Sequence, residues 1–159
     1  MTSKTETTQT LIWRIRRLFQ LLSTQSNLLL SEHGINVSQR AIMEFLSRSV
    51  PQTLSDLARE HHVSRQHIQQ TFNELQAKKL VKTLENPKHK RSFLVCLSPA
   101  GETVFHKIQT QERLLYKQIA QQFNSDQLEQ SSNTLDQLQT YLQSPAWNNL
   151  LNNIQGKSL

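Results

Sequence analysis

Apolar residues near the N-terminus recur every three or four positions, as one face of an α-helix requires. The pattern begins at about Thr10 and ends before Gly34, a residue suited to a turn. It predicts one long helix, with residues 1 to 9 frayed ahead of it. The apolar face carries Leu11, Ile12, Ile15, Leu18, Phe19 and Leu22.

Shorter helical patterns follow, each opening on a residue that can cap a helix. Ser38 is predicted to cap the second helix, and Thr53 the third, with Asp56 as a capping-box partner. Ser64 is predicted to cap a fourth helix that runs to about Lys78 after a short turn. These features predict two helices joined as a helix-turn-helix.

The pattern then changes to the two-residue alternation of β-strands. Val81 to Glu85 and Ser92 to Leu97 are strand-like, and a basic loop at 86–91 joins them. In the second strand, Phe93, Val95 and Leu97 alternate as one half-buried face requires. A helix-turn-helix followed by a basic hairpin predicts a winged helix-turn-helix at 36–98.

Helical patterns return after the hairpin: one opens at Pro99, the next is predicted to be capped by Ser125, and a short one follows Pro145. The predicted fold is mainly α with a small β-hairpin wing, in a single domain over 1–159. The outer segments, 10–33 and 100–156, carry more apolar surface than one small core needs. They are therefore predicted to be N- and C-terminal dimerisation helices of a two-fold homodimer; a monomer whose end helices complete its own core is the competing interpretation.

Composition narrows the class of partner. The 159 residues carry a net charge of +6, although only 19% are charged, so the basic residues form patches that favour a polyanion. A single cysteine, Cys96, excludes an internal disulfide framework and a thiolate-rich metal site. No apolar run is long enough to span a membrane, and the polar N-terminus does not resemble a secretory signal. We expect a cytoplasmic protein that does not bind membranes.

The predicted fourth helix has two opposed faces. Ile68, Phe72 and Leu75 form one side, and an amide stripe that includes Asn73 forms the other. An amide offers a donor and an acceptor at fixed separation, which matches the major-groove edge of adenine. Such stripes are more often solvated surface, but the position before a basic hairpin favours double-stranded DNA as the partner. The DNA-binding residues predicted here are Ser64, Arg65, Gln66, His67, Gln69 and Gln70.

The basic hairpin supplies the second predicted contact. Lys88, Lys90 and Arg91 cluster at its tip beyond Pro87, and an arginine on a narrow arm suits the minor groove. The lysines would neutralise phosphates and make binding depend on salt.

Between about Val37 and Gly101, short sequence pieces follow one another in a fixed order. They are Val37-Ser38-Gln39, Leu54-Ser55-Asp56-Leu57-Ala58, Val63-Ser64-Arg65, Leu75 to Val81, Asn86-Pro87, and Val95 to Gly101. With these pieces the segment resembles the MarR (multiple antibiotic resistance regulator) family of winged-helix repressors. The family's wing usually has Asp two residues before its groove-contacting Arg, where this chain has His89, and Lys79 stands where a Gly often follows the recognition helix.

The resemblance implies a transcriptional repressor that binds a pseudo-palindromic operator as a homodimer. It also implies a pocket for a small aromatic or phenolic effector between the dimer helices and the reading region. Candidate lining residues are Trp13, Arg16, Arg17 and Phe45, for which ordinary packing and surface roles are the competing interpretation.

Three other functions are weighed against this one. The six histidines suggest a metal-responsive regulator, but His61-His62 and His67 lack metal-ligand spacing. Cys96 suggests a redox-responsive regulator, but no second cysteine or activating neighbour accompanies it. A winged helix that binds a protein instead of DNA is the third. No catalytic constellation, cofactor motif or metal site is present in the sequence, so we expect no enzyme.

Overall fold

The computed structural model describes residues 3–61, 63–89 and 91–156. Its contacts divide the chain into two compact units, residues 1–111 and 112–159. The prediction of a single domain over 1–159 stays a prediction. The described elements are α1 (Lys4–Ser31), α2 (Val37–Arg48), α3 (Leu54–Glu60), α4 (Arg65–Ala77), β1 (Val81–Glu85), β2 (Phe93–Leu97), α5 (Pro99–Ala120), α6 (Ser125–Leu142) and α7 (Pro145–Ile154).

The first helix begins earlier than its apolar pattern predicts. The Ser3 hydroxyl accepts the Glu6 backbone N–H at 3.1 Å, and the Glu6 carboxylate accepts the Ser3 backbone N–H at 2.8 Å. This reciprocal capping box starts α1 at Lys4. The predicted fraying is therefore wrong for residues 4–9, because polar capping chemistry extends the helix beyond its apolar face.

Two predicted caps are displaced by one or two residues. Asn36, not Ser38, caps α2, since its side-chain oxygen accepts the Gln39 backbone N–H at 2.9 Å. Asn124, not Ser125, caps α6 through Gln127 in the same way. In both helices the glutamine at the third helical position, Gln39 or Gln127, accepts the backbone N–H of the asparagine and completes a capping box. This second hydrogen bond favours the asparagine as cap over the nearby serine. The caps predicted at Thr53 and Ser64 are confirmed.

The core of the first unit lies where α2, α3 and α4 meet the hairpin. Met43, Leu57, Ile68 and Leu75 are fully buried there. The helices α3 and α4 pack on each other and α2 packs on α4, while β1 also contacts α4. Burying each such side chain stabilises the fold by about 1.5–3 kcal/mol. The outward face of α4 is held in place by this packing.

The hairpin is antiparallel, with register from Val81 opposite Leu97 to Glu85 opposite Phe93. Val95 and Leu97 are buried as predicted, but Phe93 is 60% exposed. The prediction of a half-buried face is wrong at this residue because the register carries it beyond the core, to the loop end of the hairpin. The backbone N–H of Val95 also donates to the carbonyl of Gln52 at 2.9 Å, which ties the wing to the segment before α3.

The second unit contains the end of α5 together with α6 and α7. The rings of Tyr141 and Trp147 meet edge to face at 5.7 Å between centroids, which joins α6 to α7. Many apolar side chains of these helices are exposed nonetheless. None of the helices in the described residues is both long and apolar enough to cross a membrane.

Candidate nucleic-acid interface

The helix-turn-helix is built from α3, a short turn and α4. The Ser64 hydroxyl accepts the backbone N–H of His67 at 3.1 Å, which starts α4. The backbone N–H of Val63 donates to the carbonyl of Ala58 at 3.1 Å and closes the turn. His62 lies outside the described residues.

The residues predicted to contact base edges are exposed on α4 and at its N-cap, Ser64. Its opposite face is buried through Ile68, Thr71, Phe72 and Leu75. Gln69 donates its side-chain N–H to the Asn73 side-chain oxygen at 3.0 Å, so neighbouring amides of the stripe are paired. The fold therefore presents one polar surface at the start and middle of α4. It consists of Ser64, Arg65, Gln66, His67, Gln69 and Gln70.

The wing loop is closed by the side chain of Asn86. Its amide nitrogen donates to the Ser92 hydroxyl at 3.0 Å, and its oxygen accepts the backbone N–H of Lys88 at 3.0 Å. The backbone N–H of His89 donates to the Asn86 carbonyl at 3.2 Å. Lys88 and Arg91 are exposed at this tip, and Lys90 lies outside the described residues.

The end of α4 is fastened to the start of α5. The Ser98 hydroxyl donates to the Lys79 carbonyl at 2.7 Å and accepts the Gly101 backbone N–H at 3.0 Å. The Ser98 backbone N–H donates to the Leu80 carbonyl at 3.0 Å. Since β1 begins directly after Leu80, α4 and the hairpin are held by the same hydrogen bonds.

Helix α3 carries a charged pair, with Asp56 in its first turn and Arg59 in its last turn. The Thr53 hydroxyl donates to the Asp56 carboxylate at 2.7 Å, and Arg59 contacts its other oxygen at 2.5 Å. The hydrogen bond from Thr53, followed by the charge of Arg59, lowers the pKa of the Asp56 carboxyl below its ordinary value of 3.8. Asp56 is therefore a fixed negative charge at neutral pH.

Sequence reasoning did not find a polar network behind α4. Gln39 is 3% exposed and joins α2 to Glu74 of α4 and to Lys78, the C-cap of that helix. One local signal was available, because Asn36 and Gln39 have the spacing of a capping box. The partners of Gln39 lie 35 and 39 residues away in the chain, so only folding identifies them.

The predicted effector residues fall into two places. Trp13 and Arg16 line one shallow hollow of about 420 Å³ on α1, and the Arg17 guanidinium lies 5.4 Å from the Trp13 ring centroid. Phe45 does not line this hollow in the described structure. Its ring stacks on that of His61, with 3.5 Å between centroids.

Cys96 and the histidines show no assembled site in the part of the chain that is described. Cys96 is half-buried on β2, opposite Lys82. Within that same part, no three His, Cys, Asp or Glu side chains are grouped to hold a metal ion.

The arrangement defines a class of protein. An exposed polar helix, capped and packed from behind, stands beside a basic hairpin, and this is the architecture of a winged helix-turn-helix DNA-binding protein. The MarR family model matches residues 33–92, which span the helix-turn-helix and most of the wing. Over these residues the chain is similar to the MarR family of transcription regulators, the family that its sequence motifs resemble.

Known proteins are similar over most of the chain. A solved MarR-family transcription regulator has a TM-score of 0.80 and 25% identity, covering 87% of this chain and 92% of its own. The homoprotocatechuate degradative operon repressor of Escherichia coli is 23% identical over 109 residues, which are 69% of this chain and 74% of that protein.

Two further structures carry ligands. Staphylococcus aureus MarR in complex with salicylate and kanamycin has a TM-score of 0.77 and 17% identity, covering 85% of this chain and 91% of its own. A mutant MarR from Escherichia coli complexed with operator DNA has a TM-score of 0.75 and 20% identity, covering 86% and 99%. These likenesses show the fold.

Proposed function

We propose that this protein is a repressor that binds a pseudo-palindromic operator as a homodimer, with α4 in the major groove and the wing on the adjacent backbone or minor groove. The observation that carries the proposal is the exposed amide surface of α4 beside the exposed Lys88 and Arg91. Amides suit base edges, and lysine and arginine suit phosphates. The α4 side chains therefore set the sequence preference, whereas Lys88, Lys90 and Arg91 set the affinity and its salt dependence.

The homodimer is proposed because many apolar side chains are exposed to solvent in the single chain. A row on α1 and further residues on the end of α5, α6 and α7 are each at least one-third exposed. Such surface on a water-soluble domain marks an interaction site. A two-fold partner would cover the same surface on both copies and set two α4 helices about one DNA turn apart. These residues are Leu18, Phe19, Leu21, Leu22, Leu114, Leu115, Ile119, Leu128, Leu135, Leu142, Leu150, Leu151 and Ile154.

Release by a small aromatic anion is the third part of the proposal. Trp13, Arg16 and Arg17 place an aromatic face and two guanidinium groups on one stretch of α1, a combination that suits a carboxylate on a ring. The complex of Staphylococcus aureus MarR with salicylate supports this ligand class. Phe45 does not line the hollow on α1, since its ring stacks on that of His61, and its role as a ligand contact stays a prediction.

The test is selection of bound duplexes from a random DNA pool by the purified protein at physiological salt. An inverted repeat with half-sites about one helical turn apart is the expected result. Recovery of no consensus would contradict sequence-specific binding and favour a winged helix that binds a protein. Titration of the selected duplex complex with salicylate then tests release, with benzyl alcohol as the uncharged aromatic control.

A further inference from the structure

Glu74 lies between a buried amide and an exposed amide. One of its carboxylate oxygens accepts the side-chain N–H of Gln39 at 2.7 Å. The other oxygen accepts the side-chain N–H of Gln70 at 3.4 Å, a long contact at the surface of α4. Gln39 is 3% exposed, so Glu74 links the interior of the helix-turn-helix to its polar outer face.

The chemistry of the partners fixes the orientation of Gln39. The Lys78 ammonium, which can only donate, donates to the Gln39 side-chain oxygen at 2.8 Å and to the Gly34 carbonyl at 2.5 Å. The Glu74 carboxylate can only accept, so the Gln39 nitrogen must face it. The carboxylate of Glu74 is therefore anchored from the inside.

The same argument extends outward to Gln70. Because the Glu74 carboxylate can only accept, the side-chain nitrogen of Gln70 must face it. The carbonyl oxygen and the second N–H of the Gln70 amide then face away from Glu74. Resting on the function proposed above, we propose that Glu74 is a positioning residue that sets which atoms Gln70 presents to a base. An outward carbonyl with one N–H matches N6 and N7 of adenine.

Glu74→Gln separates this role from simple support of the fold. The new amide can still accept the N–H of Gln39 with its oxygen, which keeps the buried bond. Its nitrogen then faces Gln70, so the Gln70 carbonyl turns inward and its two N–H groups turn outward. Two donors match O6 and N7 of guanine. The substitution should therefore exchange adenine for guanine at one base pair of each half-site.

A matched control lies on the same face of α4. Gln69 and Asn73 form a pair with the same i, i+4 spacing, but both are exposed and each can donate or accept. Asn73→Ala should leave the preference between adenine and guanine unchanged at the base pair that Gln70 reads. Gln70→Ala identifies that base pair, because its preference should disappear there.

The experiment is selection from the random duplex pool by the wild-type protein and these variants, with thermal melting of each. The expected result is about a tenfold change from adenine to guanine at the base pair found with Gln70→Ala, in Glu74→Gln only. If Glu74→Gln lowers the melting temperature, Glu74→Ala replaces it in the selection. We expect the Glu74→Ala variant to lose the discrimination between adenine and guanine at that base pair.

Two outcomes overturn the inference while leaving the proposed function intact. One is an unchanged consensus in the Glu74 variants. The other is uniform weakening for all sequences, which would mean that Glu74 only supports the fold. A wild-type pool without any consensus would instead contradict the proposed function, and this inference with it.

Discussion

The carbonyl oxygen of Leu80 occupies the space that a side chain on residue 101 would need. A Cβ placed on Gly101 would lie 1.9 Å from that oxygen, well inside contact distance. Because the opposing atom belongs to the backbone, it cannot rotate away. Gly101→Ala should therefore destabilise the protein by about 1–3 kcal/mol through overpacking.

The measurement is the free energy of unfolding in urea. Gly34→Ala is an informative comparison, because a Cβ at Gly34 meets nothing within 4 Å and its cost would come only from the positive φ of 67°. Equal stability of the Gly101→Ala variant and the wild type would contradict the close approach of α5 to Leu80.

Lys79 holds a left-handed backbone conformation, with φ of 60°. Its N–H donates to the Gln76 carbonyl at 2.9 Å, and the Leu80 N–H donates to the Leu75 carbonyl at 3.0 Å, which together form a Schellman cap on α4. A side chain in this conformation costs about 1–2 kcal/mol, which glycine avoids. Glycine gives the unfolded chain more conformational entropy, which offsets part of this gain. Lys79→Gly should therefore raise the free energy of unfolding by up to about 1 kcal/mol.

Lys79→Ala is the matched control, since it removes the same charge and keeps the strain. If both variants were equally stable, the conformation of residue 79 would not be the cause.

Arg91 at the wing tip is predicted to contact DNA. Arg91→Ala should weaken binding to the selected operator about 3- to 30-fold at physiological salt and lower the slope of log affinity against log salt by about 0.9. Fluorescence anisotropy at several salt concentrations measures both quantities. Lys4→Ala removes an equal charge at the start of α1 and should change neither; an Arg91 variant with wild-type affinity would disprove the wing contact.

Phe19 on α1 is 68% exposed and belongs to the apolar surface that we propose as the homodimer interface. Phe19→Glu should raise the dissociation constant of the dimer, because assembly would bury a carboxylate without a partner. Sedimentation velocity over a range of protein concentrations measures the effect. Val50, 82% exposed between α2 and α3, is the control residue. If Val50→Glu dissociated the dimer and Phe19→Glu did not, the proposed interface on α1 would be wrong.

Asp56 should contribute to stability only above the pH at which it protonates. Its pKa is lowered in the folded protein, chiefly by the hydrogen bond from Thr53, so its contribution is present above the ordinary value of 3.8 and lost as pH falls through the lower folded value. The pair is partly exposed, so the difference between wild type and Asp56→Asn should be a few tenths of a kcal/mol. Urea unfolding at pH 6 and near pH 3 measures it, with Asp136→Asn as control. A difference that grew on acidification would contradict the assignment.

Local patterns predicted much of the winged helix. The caps at Thr53 and Ser64 follow from residues three positions apart, and the apolar face of α4 follows from helical periodicity. Both depend on neighbours within one or two turns, which a sequence displays directly. The displaced cap at Asn36 shows the limit, because Asn36 and Ser38 are both candidates and a reciprocal hydrogen bond decides between them.

The sequence by itself determined the order of elements, the polar and buried faces of α4, and the basic loop of the wing. Only the tertiary structure decided that Phe93 is exposed, that Phe45 stacks on His61, and that Glu74 stands between Gln39 and Gln70. The physical reason is the distance along the chain over which each kind of interaction acts. Periodicity and capping act between near neighbours, whereas the Phe45–His61 and Gln39–Glu74 contacts join residues that are distant in the chain and meet only after folding.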